Sequence, residues 1–466
     1  MLVKSDQDEI RSFLSDASYL EGGNAERVVF PENSNEAADV LAEASQKGTQ
    51  VTISGAGTGT VAGRVPFGGI VLATDRLNKI KSIDQLPHGG RAIAEAGVIV
   101  RDLQQSVESK GLLYPPDPTE RSCFLGGTIA TNASGSRTFK YGPTRNYIER
   151  LKIALVTGDS IDLRRGELRA QANGLIEIPL PTGRTIKAQL PSYQMPRVRK
   201  NASGYYVAPE MDVLDLFIGS EGTLGVVLEA EVRLLPKPEG LLSGVVFFTA
   251  NESLLAFVAE VRATSLKTRA ELAEERAELQ LHSIDARALE YFDTQSLSFL
   301  RQRYEAIPSP AVGAVFFEQE TTSDTEDSLM SEWLALLESH HALTDASWFA
   351  TTEQDQEKLR EFRHQLPVLM NEWFARYHQR KVSTDMAVPD EEFAGMLRFY
   401  DDTLRASELR YAIFGHIGDN HVHVNILPRD TAEAAKAREL YMQFVRHAVN
   451  RGGAVSAEHG IGKLKR

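Results

Sequence analysis

The chain has a single cysteine, Cys123, in 466 residues. That excludes an intrachain disulfide, a zinc site built on paired cysteines and a cysteine-ligated iron–sulfur cluster held by this chain alone. Positive charge is also short: 51 Lys and Arg face 64 Asp and Glu, a formal net charge of −13. Binding to a phosphate backbone draws on clustered Lys and Arg, so a nucleic-acid partner is disfavoured. Long apolar runs are lacking as well. The longest, such as residues 244–250, fall short of the roughly 20 residues that span a bilayer. The opening Met-Leu-Val-Lys-Ser-Asp-Gln-Asp-Glu-Ile has no apolar stretch long enough for a signal peptide. The expected address is a reducing cytoplasm, with peripheral membrane contact only through a partner. No internal repeat and no low-complexity tract stands out.

What is present reads as a globular protein, with 42% hydrophobic and 25% charged residues. The length suits about three domains or two large ones. Residues 34–47 are Ala-rich with a helical period, which predicts a helix capped by Asn33 or Ser34 and stopped by Gly48. A strand with Val51 and Ile53 on one face follows. Residues 98–110 read as a short helix ended by Gly111, and residues 151–163 as strand, Gly-Asp turn, strand. Residues 212–235 read as a short apolar helix or strand, a Gly-rich turn and a strand ending at Pro236. Pro236-Lys-Pro-Glu-Gly240 is the best domain boundary, because two prolines and a glycine break a continuing element. Beyond it, apolar strands near 243–249, 311–318 and 411–417 alternate with helices near 251–264, 325–339 and 353–376. That order predicts an α+β layer with helices on one sheet face. Residues 264–280 read as a charged, solvated helix.

The first feature with chemistry in it is Ser54-Gly-Ala-Gly-Thr-Gly-Thr-Val-Ala-Gly63, directly after the Val51/Ile53 strand. Alternate glycines let a backbone turn tightly and bare successive N–H groups to an anion. A Rossmann fingerprint would have to open a helix, and Gly63, Pro66, Gly68 and Gly69 keep this stretch irregular. An anion nest without a helix fits better, although on its own the loop is as readily a surface turn. Two more segments of small residues accompany it, Tyr114-Pro-Pro-Asp-Pro through Gly-Gly-Thr-Ile-Ala-Thr-Asn-Ala-Ser-Gly135 and Phe217-Ile-Gly-Ser-Glu-Gly-Thr-Leu-Gly-Val226. Cys123, in the second, reads as a small filler.

In order and spacing over residues 25–235, these three segments resemble the flavin-binding domain of the vanillyl-alcohol oxidase and p-cresol methylhydroxylase (PCMH) superfamily. The resemblance implies a PCMH-type, two-subdomain FAD-binding domain over residues 1–237. It implies FAD contacts at Ser54, Gly55, Ala56, Gly57, Thr58 and Gly59 in the first loop, which would wrap the pyrophosphate. It adds Pro116, Gly126, Gly127, Ala130, Thr131, Asn132 and Gly135 along the isoalloxazine and ribityl chain, and Glu221, Gly222 and Val226 on the adenine side. Arg64 departs from the pattern, where a second glycine is common. No histidine lies in or near the first loop, so the FAD is expected to be non-covalent.

The second chemical feature is His416-Ile-Gly-Asp-Asn-His-Val-His-Val-Asn425. His421, His423 and Asn425 alternate with valines, so on a strand they share a face. Glu458-His459-Gly-Ile-Gly adds a carboxylate beside another histidine. Two His and a carboxylate with open positions describe a catalytic divalent site. A polar sheet face with satisfied histidines is the plainer alternative, and the Glu458-His459 pair weighs against it. These motifs resemble the 2-hydroxy-acid dehydrogenase branch of the same superfamily, comprising D-lactate and D-2-hydroxyglutarate dehydrogenases and the flavin subunit of glycolate oxidase. The resemblance implies metal ligands His416, His423 and Glu458, a catalytic base His459 and a pocket-lining Asn425. The common family form has Gly-Asn where this chain has Asn420-His421, and the role of His421 stays open. Arg363 matches the family arginine that clamps the substrate carboxylate, a task suited to a planar guanidinium. The plainer alternative is a helix-surface arginine beside Glu361. Lys200 and Tyr205, in Lys-Asn-Ala-Ser-Gly-Tyr, resemble a family stretch near the flavin and are read as pocket-lining.

The resemblance further implies an α+β substrate (cap) domain with an antiparallel, ferredoxin-like sheet over residues 238–427, and a C-terminal segment, 428–466, returning to the FAD domain. In the family another helix follows this motif, so a chain stopping at Arg466 is expected to be truncated. The expected reaction is FAD-dependent oxidation of a D-2-hydroxy acid to the 2-oxo acid. A divalent metal (Zn, Mn or Fe) would activate the hydroxyl. Electrons would pass to an external acceptor, whether quinone, electron-transfer flavoprotein, cytochrome or iron–sulfur subunit. A homodimer is a further expectation. The alternatives are a non-redox enzyme of the alkylglycerone-phosphate synthase type and a flavin-binding subunit of a larger redox complex.

Overall fold

A computed structural model describes residues 1–273 and 283–465. Within them the chain is a mixture of helices with three larger sheets and one hairpin. Strands β1 (Leu2–Lys4), β2 (Arg27–Phe30), β3 (Val51–Ser54) and β4 (Ile70–Ala73) make the first sheet, in the order β1-β2-β4-β3. β2 and β3 both run parallel to β4, so a crossover must join them. The helix Ser34–Lys47 supplies it. Asn33 caps its start by accepting from the Glu36 N–H, and Gly48, at φ 65°, ends it. Its buried face (Ala37, Val40, Leu41, Ala44) packs on Val29, Ile70 and Leu72.

The second sheet is antiparallel. It contains β5 (Ile80–Leu86), β6 (Gly89–Glu95), β7 (Leu112–Leu113), β8 (Ile148–Ala154) and β9 (Ser160–Arg164). After a hairpin of β10 (Leu175–Pro179) and β11 (Thr185–Gln189) comes β12 (Val226–Pro236). β12 is its central strand, in the order β5-β6-β12-β8-β9, with β7 pairing the end of β12. The helix Val100–Glu108 covers it, two residues shorter at each end than the sequence reading.

β13 (Gly240–Phe248), β14 (Ala286–Phe292), β15 (Gly313–Thr321), β16 (Trp348–Ala350), β17 (Val382–Ser383), β18 (Tyr411–Gly415) and β19 (His423–Ile426) form the third sheet. Its order is β16-β13-β15-β14-β18-β19-β17, antiparallel throughout. The expectation of helices on one face of this sheet is corrected: both faces are covered. Leu242, Val246 and Phe248 pack with Leu254, Phe257 and Trp333 from the helices Asn251–Ala273 and Glu326–Ser339. Val245 and Phe247, pointing the other way, pack with Leu359, Phe362 and Leu366 of the helix Glu353–Tyr377. Burial on both sides explains why these strands read as continuous apolar runs rather than alternating ones. The charged stretch expected to be helical over 264–280 is helical to Ala273; 274–280 lie outside the described residues.

After the helix Thr431–Asn450 the chain returns to the first half of the molecule. Ala454 exchanges backbone hydrogen bonds with Ala387, and the Ala457 N–H donates to the Asp385 carbonyl. Lys463 N–H then donates to the Val61 carbonyl, beside the first glycine-rich loop.

Candidate active site

β18 and β19 form a hairpin whose connection carries three imidazoles. His416 follows β18, Ile417–Asp419 make a single 3-10 turn, Asn420 takes the left-handed conformation at φ 54°, and His423 opens β19. His421 therefore precedes the strand instead of sharing its face, yet its ring reaches the same point. Gly415 lets the imidazoles close up: at φ 121°, a Cβ there would sit 3.0 Å from the His423 ring. Glu458 arrives from the returning segment. Its Oε2 lies 3.2 Å from His416 Nε2, 3.5 Å from His423 Nε2 and 3.9 Å from His421 Nδ1. All four residues offer a ligand atom within 4.8 Å of one another. Atoms bound at about 2.1 Å to a common ion lie roughly 3.0–4.2 Å apart; the three distances to Glu458 Oε2 fall in that range, and a small inward shift of the imidazoles would let the set hold a divalent metal.

The surroundings aim these groups. His416 Nδ1 meets Glu290 at 2.6 Å, and His423 Nδ1 meets the Thr384 carbonyl at 3.0 Å. Each pairing turns Nε2 toward Glu458. The other carboxylate oxygen, Oε1, accepts from Lys200 Nζ at 2.8 Å and from Ser134 Oγ at 3.1 Å. Lys200 is fully buried and also bonds the Gly135 carbonyl and faces Asp419 at 3.2 Å. It is thus a strut beneath Glu458. Burial alone would raise the Glu458 carboxyl, but His416 and Lys200 outweigh it and hold it well below the usual range. Glu290 is treated alike: burial would raise it, while Arg363 and His416 bring it to about 2.

Arg363 is not a surface arginine. It is mostly buried, its side chain 13% exposed, with Nε 3.1 Å from Glu290 and Nη1 3.0 Å from His364. His459 stands at the edge of the cluster, more than a third exposed. Its ring centroid is 5.6 Å from that of His423. Asp385, wholly buried, organises it: Oδ2 accepts from the His459 N–H at 3.1 Å and lies 3.2 Å from Nδ1. Asn425 is buried with Nδ2 on the His423 carbonyl and Oδ1 without a partner among the described residues. The Tyr205 hydroxyl meets Thr223 Oγ1 of the third glycine-rich segment at 2.8 Å.

The three glycine-rich segments lie side by side. The Glu221 N–H donates to the Ala130 carbonyl, and the Gly219 N–H to that of Ile129. A Cβ on Gly222 would touch Ile53, and one on Gly55 would approach Phe124. In the first loop, the backbone N–H groups of residues 55–63 donate no hydrogen bond to any described residue. Arg64 ties the loop down through Ser54 Oγ, the Gly55 carbonyl and the carbonyls of Ser12 and Ser15. A run of unpaired amides with a guanidinium alongside fits a pyrophosphate. Several other residues matched to FAD contacts also serve the fold. Pro116 accepts from Gln104, Gly126 packs on Ala96, Thr131 bonds the Gly127 carbonyl, and Asn132 accepts from the Arg145 N–H. A Cβ on Gly135 would collide with the Asp117 carbonyl, and Val226 is core. Glu221 clasps the returning segment by accepting from the Ile461 and Gly462 N–H groups at 2.8 Å each. Nothing crowds a Cβ at Gly59 or Gly127, and Ala56 and Thr58 are half-buried on the same lip.

Asp385, Glu290, Ser134 and the strut role of Lys200 were not read from the sequence. Glu290 carried a usable signal, a carboxylate within the apolar run Ala288-Leu-Glu-Tyr-Phe292. Asp385 and Ser134 carried none, because their partners are 74 and 324 residues away.

Comparison with known proteins agrees with these two halves. Residues 25–164 match the FAD binding domain, and residues 252–466 match the C-terminal domain of FAD linked oxidases. The chain is 28% identical over 443 residues to the glycolate oxidase subunit GlcD of Bacillus subtilis, covering 94% of this chain and 81% of that one. It is 28% identical to a D-lactate dehydrogenase of Archaeoglobus fulgidus (94% and 83% covered). It is 24% identical to a D-2-hydroxyglutarate dehydrogenase of Stutzerimonas stutzeri (100% and 88%). Among solved structures, an alkyldihydroxyacetonephosphate synthase has the same fold, with a TM-score of 0.65 at 15% identity over 97% of this chain and 78% of that one. These matches define a flavin-linked oxidoreductase. The chain belongs to the FAD-linked oxidases of the vanillyl-alcohol oxidase and PCMH superfamily. Among the described residues no helix is long and apolar enough to cross a membrane.

Proposed function

We propose that the protein oxidises a D-2-hydroxy acid of the lactate, 2-hydroxyglutarate or glycolate kind to the 2-oxo acid and passes the electrons to an external acceptor. One observation carries the reading. The returning segment presents Glu458 to three imidazoles and, within four residues, gives its backbone N–H groups to Glu221 of the third glycine-rich segment. The histidine cluster and the nucleotide-type loops are thereby one site. The names of the relatives support the substrate class, and the D preference rests on them.

When bound, non-covalent FAD supplies the two-electron acceptor and a divalent ion lowers the pKa of the substrate hydroxyl. His416, His423 and Glu458 would hold the ion, and the amides of residues 55–59 would hold the FAD pyrophosphate. Arg363 pairs with the substrate carboxylate and so orients Cα–H. His459 takes the hydroxyl proton at Nε2, because Nδ1 faces Asp385. Lys200 and Ser134 hold Glu458 Oε1, which keeps Oε2 toward the imidazoles. Asn425 lines the pocket next to His423. The seven-stranded sheet supports reading residues 238–427 as the substrate domain and 428–466 as the segment closing it onto an FAD domain of residues 1–237.

The test is the visible spectrum of the FAD-loaded protein under anaerobic conditions. D-lactate, D-2-hydroxyglutarate or glycolate should bleach the flavin band, with the L-isomers of the first two inactive. A band that dithionite bleaches and none of these acids does would overturn the substrate assignment.

A further inference from the structure

We propose that His421 is a fourth protein ligand of the same divalent ion, binding through Nδ1. The inference rests on the metal site proposed above and adds to it a residue that the His416, His423 and Glu458 set leaves out.

The three imidazoles share one arrangement. Each has one nitrogen facing Glu458 Oε2 and the other facing an oxygen acceptor. For His416 the acceptor is Glu290 and for His423 the Thr384 carbonyl. For His421, Nδ1 faces Glu458 at 3.9 Å and Nε2 lies 3.2 Å from Asp385 Oδ1. An oxygen behind the non-binding nitrogen is how ligating imidazoles are held. His421 is also 0% exposed, and its Nδ1 has no hydrogen-bond partner among the described residues. Leaving a buried polar atom unsatisfied is unfavourable, so a wholly buried imidazole in this state is unexpected unless something binds it. Its ring centroid is 4.5 Å from that of His423 and 5.6 Å from that of His416, so no further side chain fits between them, although an ion does.

A consequence follows for the ion. Four protein ligands complete the tetrahedron that zinc prefers. An ion that also takes the hydroxyl of a substrate would accept a fifth donor, a demand that Mn²⁺ or Fe²⁺ meets more readily than Zn²⁺.

The experiment uses the FAD-loaded protein, stripped of metal and reloaded with Mn²⁺ or Zn²⁺. X-ray absorption at the metal edge should count three imidazoles in the parent protein and two in His421→Asn. Chelator competition should give a Kd at least about tenfold weaker for His421→Asn, with the flavin spectrum unchanged. A count of two imidazoles in the parent protein overturns the proposal by itself, even if the variant fails to fold. So does an H421N variant that binds metal as tightly as the parent. Either result leaves His416, His423 and Glu458 in place. A parent protein that takes up neither ion overturns this inference together with the metal step, whereas bleaching of the flavin by a hydroxy acid tests the oxidation independently.

Discussion

Asp385 and Lys200 support the proposed chemistry in different ways. Asp385 is anionic despite its burial: desolvation would raise its carboxyl, but His459, Lys465 and His421 hold it well below the usual range. Its charge favours the tautomer of His459 with the proton on Nδ1, which leaves Nε2 to act as base. Asp385→Asn keeps the shape and removes the charge. Stopped-flow reduction of the flavin by the active hydroxy acid should slow by about 10²–10⁴-fold, the range of a general base. The pH profile should change while the flavin band stays intact. A full rate in that variant removes Asp385 from the mechanism. Lys200→Met acts on stability instead. It leaves Glu458 and Asp419 buried without their cation, a loss of about 3–5 kcal/mol. Denaturant titration should place its midpoint well below that of the parent; an unshifted midpoint would mean that the strut carries no net stability. At this scale the sequence was readable where chemistry repeats locally. Alternating histidines and a Glu-His pair drew attention to residues 416–425 and 458–459, and the family resemblance singled out His416, His423, Glu458 and His459. The groups that orient them are single residues on distant strands, and only the fold brings Asp385, Glu290 and Ser134 to them.

One element joining the two halves is the returning segment of residues 454–465. It adds no strand to a sheet and is held by point contacts, to Asp385, Ser203, Glu221 and Val61. Gly462 is its tightest point. It sits at φ 52°, and a Cβ there would come within 2.1 Å of the Val61 carbonyl. Gly462→Ala should lift the segment off the first glycine-rich loop. FAD should be lost faster on dialysis, followed by flavin fluorescence, and flavin reduction should slow. Retention equal to the parent would mean that the loop holds FAD without this clasp. Elements with their own punctuation were legible in the sequence, as with the helix Ser34–Lys47 between Asn33 and Gly48. β14 was missed because two buried charges, Arg287 and Glu290, interrupt its apolar run. The helix Glu353–Tyr377 on the second face of the third sheet was legible in the sequence, whereas the face it covers was not.

Across the whole molecule, the groups proposed for FAD and those proposed for the metal belong to different sheets. The glycine-rich segments hang from β3, β4 and β12 and from the turn before β8, whereas the imidazoles hang from β18 and β19. The two sets meet through Glu458, Lys200 and Ser134, and these contacts reach the metal side through two carboxylates, Glu458 and Asp419. Removing the ion should therefore leave the flavin in place. A strong chelator, followed by desalting, should leave the flavin band and its fluorescence unchanged. Reduction by the hydroxy acid should stop, reduction by dithionite should continue, and Mn²⁺ or Fe²⁺ should restore the first reaction. Release of flavin along with the metal would mean that the halves are coupled more tightly than these contacts provide. Undiminished reduction by substrate after metal loss would mean that His459 and Arg363 suffice and that the imidazole cluster serves the fold. A buried set of three imidazoles with every second nitrogen already turned to an oxygen is an expensive arrangement for that purpose alone, which is why loss of substrate-driven reduction is the expected result.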